Sequence, residues 1–177
     1  RRHPHVCGDV RYADADAQLV AWDALKRAER TANGVQDTSA LAGIARGLPE
    51  WQRALKLQKK AASIGFDWPG PAPVLEKLTE EIEEVRAEFD AVQANPNDAA
   101  ASDRLEDELG DILFVCANLA RHAKVDVGTA LRRANRKFER RFRAMETLAE
   151  ATGGLAGKSL QEQDAFWEQA KAMERQG

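Results

Sequence analysis

Three consecutive stretches of this chain place apolar residues at repeating spacings of three and four, and that repetition limits what it can fold into. Residues 74–94 carry Leu75, Leu78, Ile82, Val85, Phe89 and Val92. Residues 98–123 carry Leu105, Leu109, Ile112, Cys116 and Leu119, and residues 127–151 carry Leu131, Ala134, Phe138, Phe142, Met145 and Leu148. On an α-helix such a row stays on one side, whereas a strand would scatter it over both faces. Asn95-Pro96-Asn97 and Gly153-Gly154 interrupt the rows, so the pattern predicts separate helices joined by short turns. Alanine, leucine, glutamate and arginine abound while β-branched and aromatic residues are sparse, which favours helix again. The expected fold class is all-α. Three or four helices make a thin core, so a four-helix-like bundle completed by a homodimer is expected.

The flanking segments are less regular. Residues 1–13 read as an extended lead-in, and residues 15–31 as a helix with Leu19, Trp22 and Leu25 near its period. Residues 32–48 hold three glycines and read as a linker. Pro49 opens a helix to about Ile64, and GFDWPGPAP at 65–73 reads as a rigid loop. Ser159 and Glu162 form an S-x-x-E capping box that opens a last helix to about residue 175. The expected division is a linker region over 1–48 and one domain over 49–177. The chain begins at Arg1 rather than Met, so a fragment of a longer protein is expected.

Composition excludes several classes. Hydrophobic residues at 44% and charged residues at 31% fit a soluble globular chain. No apolar run approaches the roughly 18 residues that span a membrane. Cys7 and Cys116 are far apart and in no CxxC pattern, which argues against a disulfide framework or zinc site. The reading expects no signal peptide and a cytoplasmic location. A net charge of −3 argues against a general nucleic-acid binder.

Charge is unevenly placed, and the chemistry follows from that. Lys77, Glu81, Glu84 and Glu88 form one stripe beside the first apolar row; Arg104, Glu108, Asp111 and Asn118 do the same beside the second. Two antiparallel helices would set Glu81 and Glu84 near Glu108 and Asp111. A single E-x-x-E is usually a solvated face. Paired with E-x-x-D on the next helix, and with Asp111 opening the apolar run ILFVCANLA, it becomes a candidate metal centre. Crowded carboxylates need cations, and an all-oxygen ligand set suits magnesium or manganese. A di-iron centre would use Glu-x-x-His, and none of His3, His5 and His122 lies three residues after a Glu.

The third row supplies the opposite charge. Residues 132–143, RRANRKFERRFR, hold seven cations and one acid, Glu139. Three readings stand: a solvated basic face, a nucleic-acid stripe, or a phosphate clamp in which Arg forks and a Lys point charge hold phosphate oxygens. Lys137 and Arg141, each immediately before a seam phenylalanine, sit at the edge of the apolar face as a cleft residue should.

Together these motifs resemble the MazG family of nucleoside triphosphate pyrophosphohydrolases. The matching stretches are GFDWPGPAPVLEKLTEEIEEV (65–85), EDELGDILFVCANLAR (106–121), ALRRANRKFERRFRAME (130–146) and FWEQAKAMER (166–175). The resemblance covers roughly residues 49–175, and RRHPHV looks like the end of a preceding MazG-like domain. It implies hydrolysis of nucleoside triphosphates to monophosphate and pyrophosphate, with broad base specificity, as in house-cleaning of the nucleotide pool. It implies Mg2+, with Mn2+ as a substitute, on Glu81, Glu84, Glu108 and Asp111. It also implies triphosphate contacts from Lys77, Lys137, Arg141 and Lys171, with Asn135 near the phosphates and Trp167 beside the nucleotide. Neither a membrane nor a specific nucleic acid is an expected partner. The mechanistic expectation is that one cluster carboxylate, with Glu81 the first candidate, accepts the proton of the attacking water. The rival readings are a catalytically silent nucleotide-binding or regulatory domain and a plain dimerisation domain. The chain contains no GxxxxGK[ST], which argues against a P-loop NTPase.

Overall fold

A computed structural model of the chain describes residues 37–176 together with Leu25 and Ala28, which are helical. The lead-in expected at 1–13 and the rest of the helix expected at 15–31 lie outside the described residues. Among the described residues there are five longer helices and no strand, as the seams required. They are α1 (Glu50–Ala62), α2 (Pro71–Ala94), α3 (Ala99–His122), α4 (Val127–Ala149) and α5 (Leu160–Gln176), with a 3-10 turn at Glu150–Thr152. Residues 37–48 run through turns and bends, in keeping with their glycine and small polar residues.

Helix α2 begins inside the stretch read as loop. Pro71 and Pro73 occupy its first turn, where a preset φ helps and the missing N–H has no partner to lose. Gly65, at φ 89°, turns the chain away from α1.

Contacts divide the chain into two units, the first running through Asn118 and the second from Leu119. In the first unit Val74, Val85, Ala101, Val115 and Ala117 are buried. Gln58 Nε2 donates to the Phe114 carbonyl at 2.7 Å and ties α1 to α3. Arg104 Nε donates to Glu88 Oε2 at 3.0 Å and ties α3 to α2. Alpha1 and α3 also wall a cleft of about 320 Å³ lined by Trp51, Leu57, Gly110, Leu113 and Phe114 among others. Gly110 lies inside α3, and a Cβ built on it would meet nothing within 4 Å.

The seams are only half covered. Leu75, Ile82 and Phe89, one heptad apart on α2, are 50%, 43% and 45% exposed. The buried side of α2 belongs instead to Val74, Glu81 and Val85. Leu75, Ile82 and Phe89 thus form a second, half-exposed side of α2, which the apolar row by itself could not reveal.

In the second unit, α4 starts on Asp126, whose Oδ1 accepts from the Thr129 N–H at 2.7 Å. Gly153 and Gly154, both at positive φ, end the helical stretch; the Gly154 N–H reaches back to the Ala149 carbonyl at 2.9 Å. The capping box forms: Ser159 N–H donates to Glu162 Oε2 at 2.8 Å, and Glu162 N–H donates to Ser159 Oγ at 3.3 Å. Alpha4 and α5 pack closely, with Met145, Ala149 and Ala170 buried.

Candidate metal centre and phosphate-binding residues

Glu88 pairs with Arg104 near the C-terminal part of α2 and the N-terminal part of α3. One to two turns further along α3, and correspondingly back along α2, lie Asp111, Glu108, Glu84 and Glu81. That reversed order is the register of an antiparallel pair. It gathers one carboxylate oxygen each from Glu81, Glu108 and Asp111 within 4.8 Å of one another.

The three differ in exposure: Glu81 is buried, Glu108 partly so and Asp111 exposed. Lys77 Nζ contacts Glu81 Oε1 at 2.8 Å and Glu80 Oε1 at 2.8 Å, and lies 4.0 Å from Glu84 Oε2. Those hydrogen bonds, to Glu80 first and Glu81 next, hold the Lys77 ammonium well above the ordinary lysine range. Lys77 therefore serves the carboxylates rather than standing free. The other oxygen of Glu81, Oε2, is buried and has no hydrogen-bond partner among the described residues. A buried carboxylate oxygen without a donor is costly. With two further carboxylates at hand it is what a hard, oxygen-seeking cation would satisfy, so the residues fit a divalent ion.

Glu84 is outside the three-oxygen group, and its side chain is 46% exposed. Close approach of the Glu81 carboxyl, where a proton would be shared, pushes Glu84 above the usual carboxylate range. Loss of solvation and the charge of Glu108 act in the same sense, and Lys77 opposes them.

The basic residues are arranged differently. Arg141 Nε donates to Glu174 Oε2 at 2.6 Å, and its guanidinium lies over the Trp167 ring, 5.9 Å from the centroid. Arg140 pairs with the other oxygen of Glu174. Lys171 is held by Glu168 at 2.6 Å. Phe138 stacks near Phe142 and contacts Trp167 at 5.5 Å between centroids. Lys137 and Asn135 are exposed, and Lys137 lines a shallow concavity on α4 with Arg133, Arg136 and Arg140. Adjacent Arg140 and Arg141 thus share one carboxylate, although only Arg141 stood out in the sequence. Glu174 was not among the residues expected from the sequence. The only available signal was that adjacent arginines beside an apolar seam need a counter-charge from another helix.

Residues 70–145 match the family model of the MazG nucleotide pyrophosphohydrolase domain. The chain is 42% identical over 175 residues to the nucleoside triphosphate pyrophosphohydrolase of Escherichia coli (strain K12), covering 98% of this chain and 64% of that protein. The chain carries a MazG domain. It is also 36% identical over 172 residues to the nucleoside triphosphate pyrophosphohydrolase/pyrophosphatase MazG of Thermotoga maritima, covering 97% of this chain and 60% of that one. It thus spans less than two thirds of the length of these curated relatives. The MazG match takes in α2, α3 and most of α4, and so includes all four carboxylates and the basic run. No helix among the described residues is long and apolar enough to cross a membrane.

Proposed function

We propose that this MazG chain hydrolyses nucleoside triphosphates between the α- and β-phosphates, releasing monophosphate and pyrophosphate. Mg2+, with Mn2+ as substitute, would be held by Glu81, Glu108 and Asp111, with Glu84 completing the set beside Glu81. The observation that carries the proposal is the buried Glu81 Oε2, without a hydrogen bond and within a three-carboxylate group. The Escherichia coli and Thermotoga maritima relatives, both nucleoside triphosphate pyrophosphohydrolases by name, support the reaction class.

A bound divalent ion supplies Lewis-acid polarisation of phosphate oxygens and a more acidic water. The residues of the chain do the rest. Lys77 fixes Glu81 and offsets part of the carboxylates' mutual repulsion. A carboxylate of the group accepts the proton of the attacking water. Lys137, Arg141 and Lys171 are proposed to contact phosphate oxygens, with Asn135 near them and Trp167 beside the nucleotide. Base selection is proposed to be broad and the location cytoplasmic. The half-exposed heptad row Leu75, Ile82 and Phe89 supports a homodimer in which a second copy covers α2.

The test is pyrophosphate release from a panel of nucleoside triphosphates with Mg2+, Mn2+ or chelator. Release of pyrophosphate that stops with chelator is expected; release of orthophosphate, or none, overturns the proposal. A second readout needs no turnover. Mg2+ should raise the melting temperature of the wild-type chain by mass action and leave an Asp111→Asn chain unmoved.

A further inference from the structure

Arg141 is held at two points that leave one edge of its guanidinium unused. Its Nε donates to Glu174 at 2.6 Å, and its Cζ lies over the Trp167 ring, 5.9 Å from the centroid. A guanidinium has five N–H donors in a rigid fork. Among the described residues, only the Nε donor of Arg141 has a hydrogen-bond partner, so both terminal nitrogens remain available. The Arg141 side chain is 22% exposed, which leaves it little room to wander. Glu174 also takes Arg140, so one carboxylate serves two guanidiniums and the trio keeps a net positive charge. A carboxylate that merely neutralised the basic run would sit on its exposed side, with Arg133 or Arg136. Glu174 reaches from α5 to exposed Arg140 and also inward to Arg141, which is mostly buried and lies over the Trp167 ring.

We infer that Glu174 is a positioning residue for phosphate binding. It grips the Nε edge of Arg141 while Trp167 backs the guanidinium, so the fork of terminal nitrogens meets phosphate oxygens already oriented. The inference rests on the proposed role of Arg141 in the pyrophosphohydrolase reading. It runs against simple charge counting, which makes it testable. Deleting a carboxylate beside two arginines raises the local positive potential and by itself would tighten phosphate binding. Loss of orientation would loosen it.

The experiment is calorimetric binding of inorganic tripolyphosphate to the full chain, together with KM and kcat for a nucleoside triphosphate. Glu174→Ala should weaken tripolyphosphate binding about 10-fold and raise KM in proportion, with kcat within about twofold. Glu174→Gln keeps an acceptor for the Nε–H and removes the charge, and it should bind within about threefold of wild type. Arg141→Ala should weaken binding similarly, and the double variant should be no worse than Arg141→Ala alone. Tighter binding by Glu174→Ala, equal losses in Glu174→Ala and Glu174→Gln, or additive losses in the double variant would overturn the positioning role and leave the proposed hydrolysis intact. A wild-type chain that hydrolyses triphosphates but does not bind tripolyphosphate would also overturn it. A chain that does neither would remove both.

Discussion

The carboxylate group of α2 and α3 and the arginine group of α4 and α5 are opposites in more than charge. The first leaves its most buried atom, Glu81 Oε2, without a partner, although Lys77 satisfies the oxygen beside it. The second satisfies its most buried cation internally, with Glu174 and Trp167 both on Arg141. Unmet demand in a buried place points to a component that arrives from outside. A cation held along one edge, with its remaining donors free, points to orientation, because a group already held in place loses little freedom when it binds. On the proposed reading, the first would be a receptor for a cation and the second a cation oriented in advance for phosphate.

The largest effect that could break this contrast is on the acidic side. Asp111→Asn and Glu108→Gln should each lower turnover by on the order of 100-fold or more, as expected for loss of a metal ligand. Neither should lower the melting temperature of the metal-free chain, since each removes one of several crowded like charges. Near wild-type turnover in both would sink the receptor reading.

Next in size is the apolar row. Ile82→Glu places a charge in the middle of the half-exposed stripe on α2. Sedimentation at micromolar concentration should find the wild type dimeric and the variant shifted towards monomer by at least an order of magnitude in Kd. A wild type that is an active monomer removes the second copy from the account.

A smaller effect sharpens the basic side. Lys137 has no partner among the described residues, so its whole charge is open to a phosphate. Lys137→Ala should lower kcat/KM about 10-fold, roughly 1.4 kcal/mol. Arg133→Ala and Arg136→Ala, in the same concavity, should change it far less. Equal losses in all three, together with salt-dependent nucleic-acid binding, would mark the face as a backbone-tracking stripe.

The smallest concerns pH. The Asp126 carboxyl is held below its ordinary value by hydrogen bonds from Thr129. A lowered native value adds stability above the unfolded value of about 4, and that stability disappears as pH falls through the lower native value. The melting difference between wild type and Asp126→Ala should therefore be a few degrees at neutral pH and shrink below about pH 4. A constant difference would show that the cap acts without its charge.

Much of this was legible in the residues. Helices α2, α3 and α4 followed from apolar spacing, because one period repeats along each of them, and α1 and α5 from Pro49 and the Ser159–Glu162 capping box. The carboxylate group followed from E-x-x-E and E-x-x-D, because a short turn at Asn95-Pro96-Asn97 leaves adjacent helices little choice but to run antiparallel. Glu174 was not legible. It is 33 residues from Arg141, on a helix whose approach depends on the whole turn around Gly153. Nor was the split of α2 into a buried Glu81 side and a half-exposed Ile82 side, because adjacent residues on a helix straddle any boundary drawn between neighbours. The start of α2 at Pro71 was hidden for another reason: proline signals a loop or a first turn with equal force.

Gly110 turns the open cleft of the first unit into a gauge. Alanine there would gain roughly 0.8–1 kcal/mol of helix propensity, and a Cβ would touch nothing within 4 Å. In a chain that stays alone, Gly110→Ala should melt a few degrees higher than wild type. If something else enters that space when chains or substrate are present, the same methyl becomes an obstruction. The gain would then shrink, or change sign, as concentration or nucleotide is raised. One small substitution, titrated in this way, reports when the cleft fills without requiring any knowledge of what fills it.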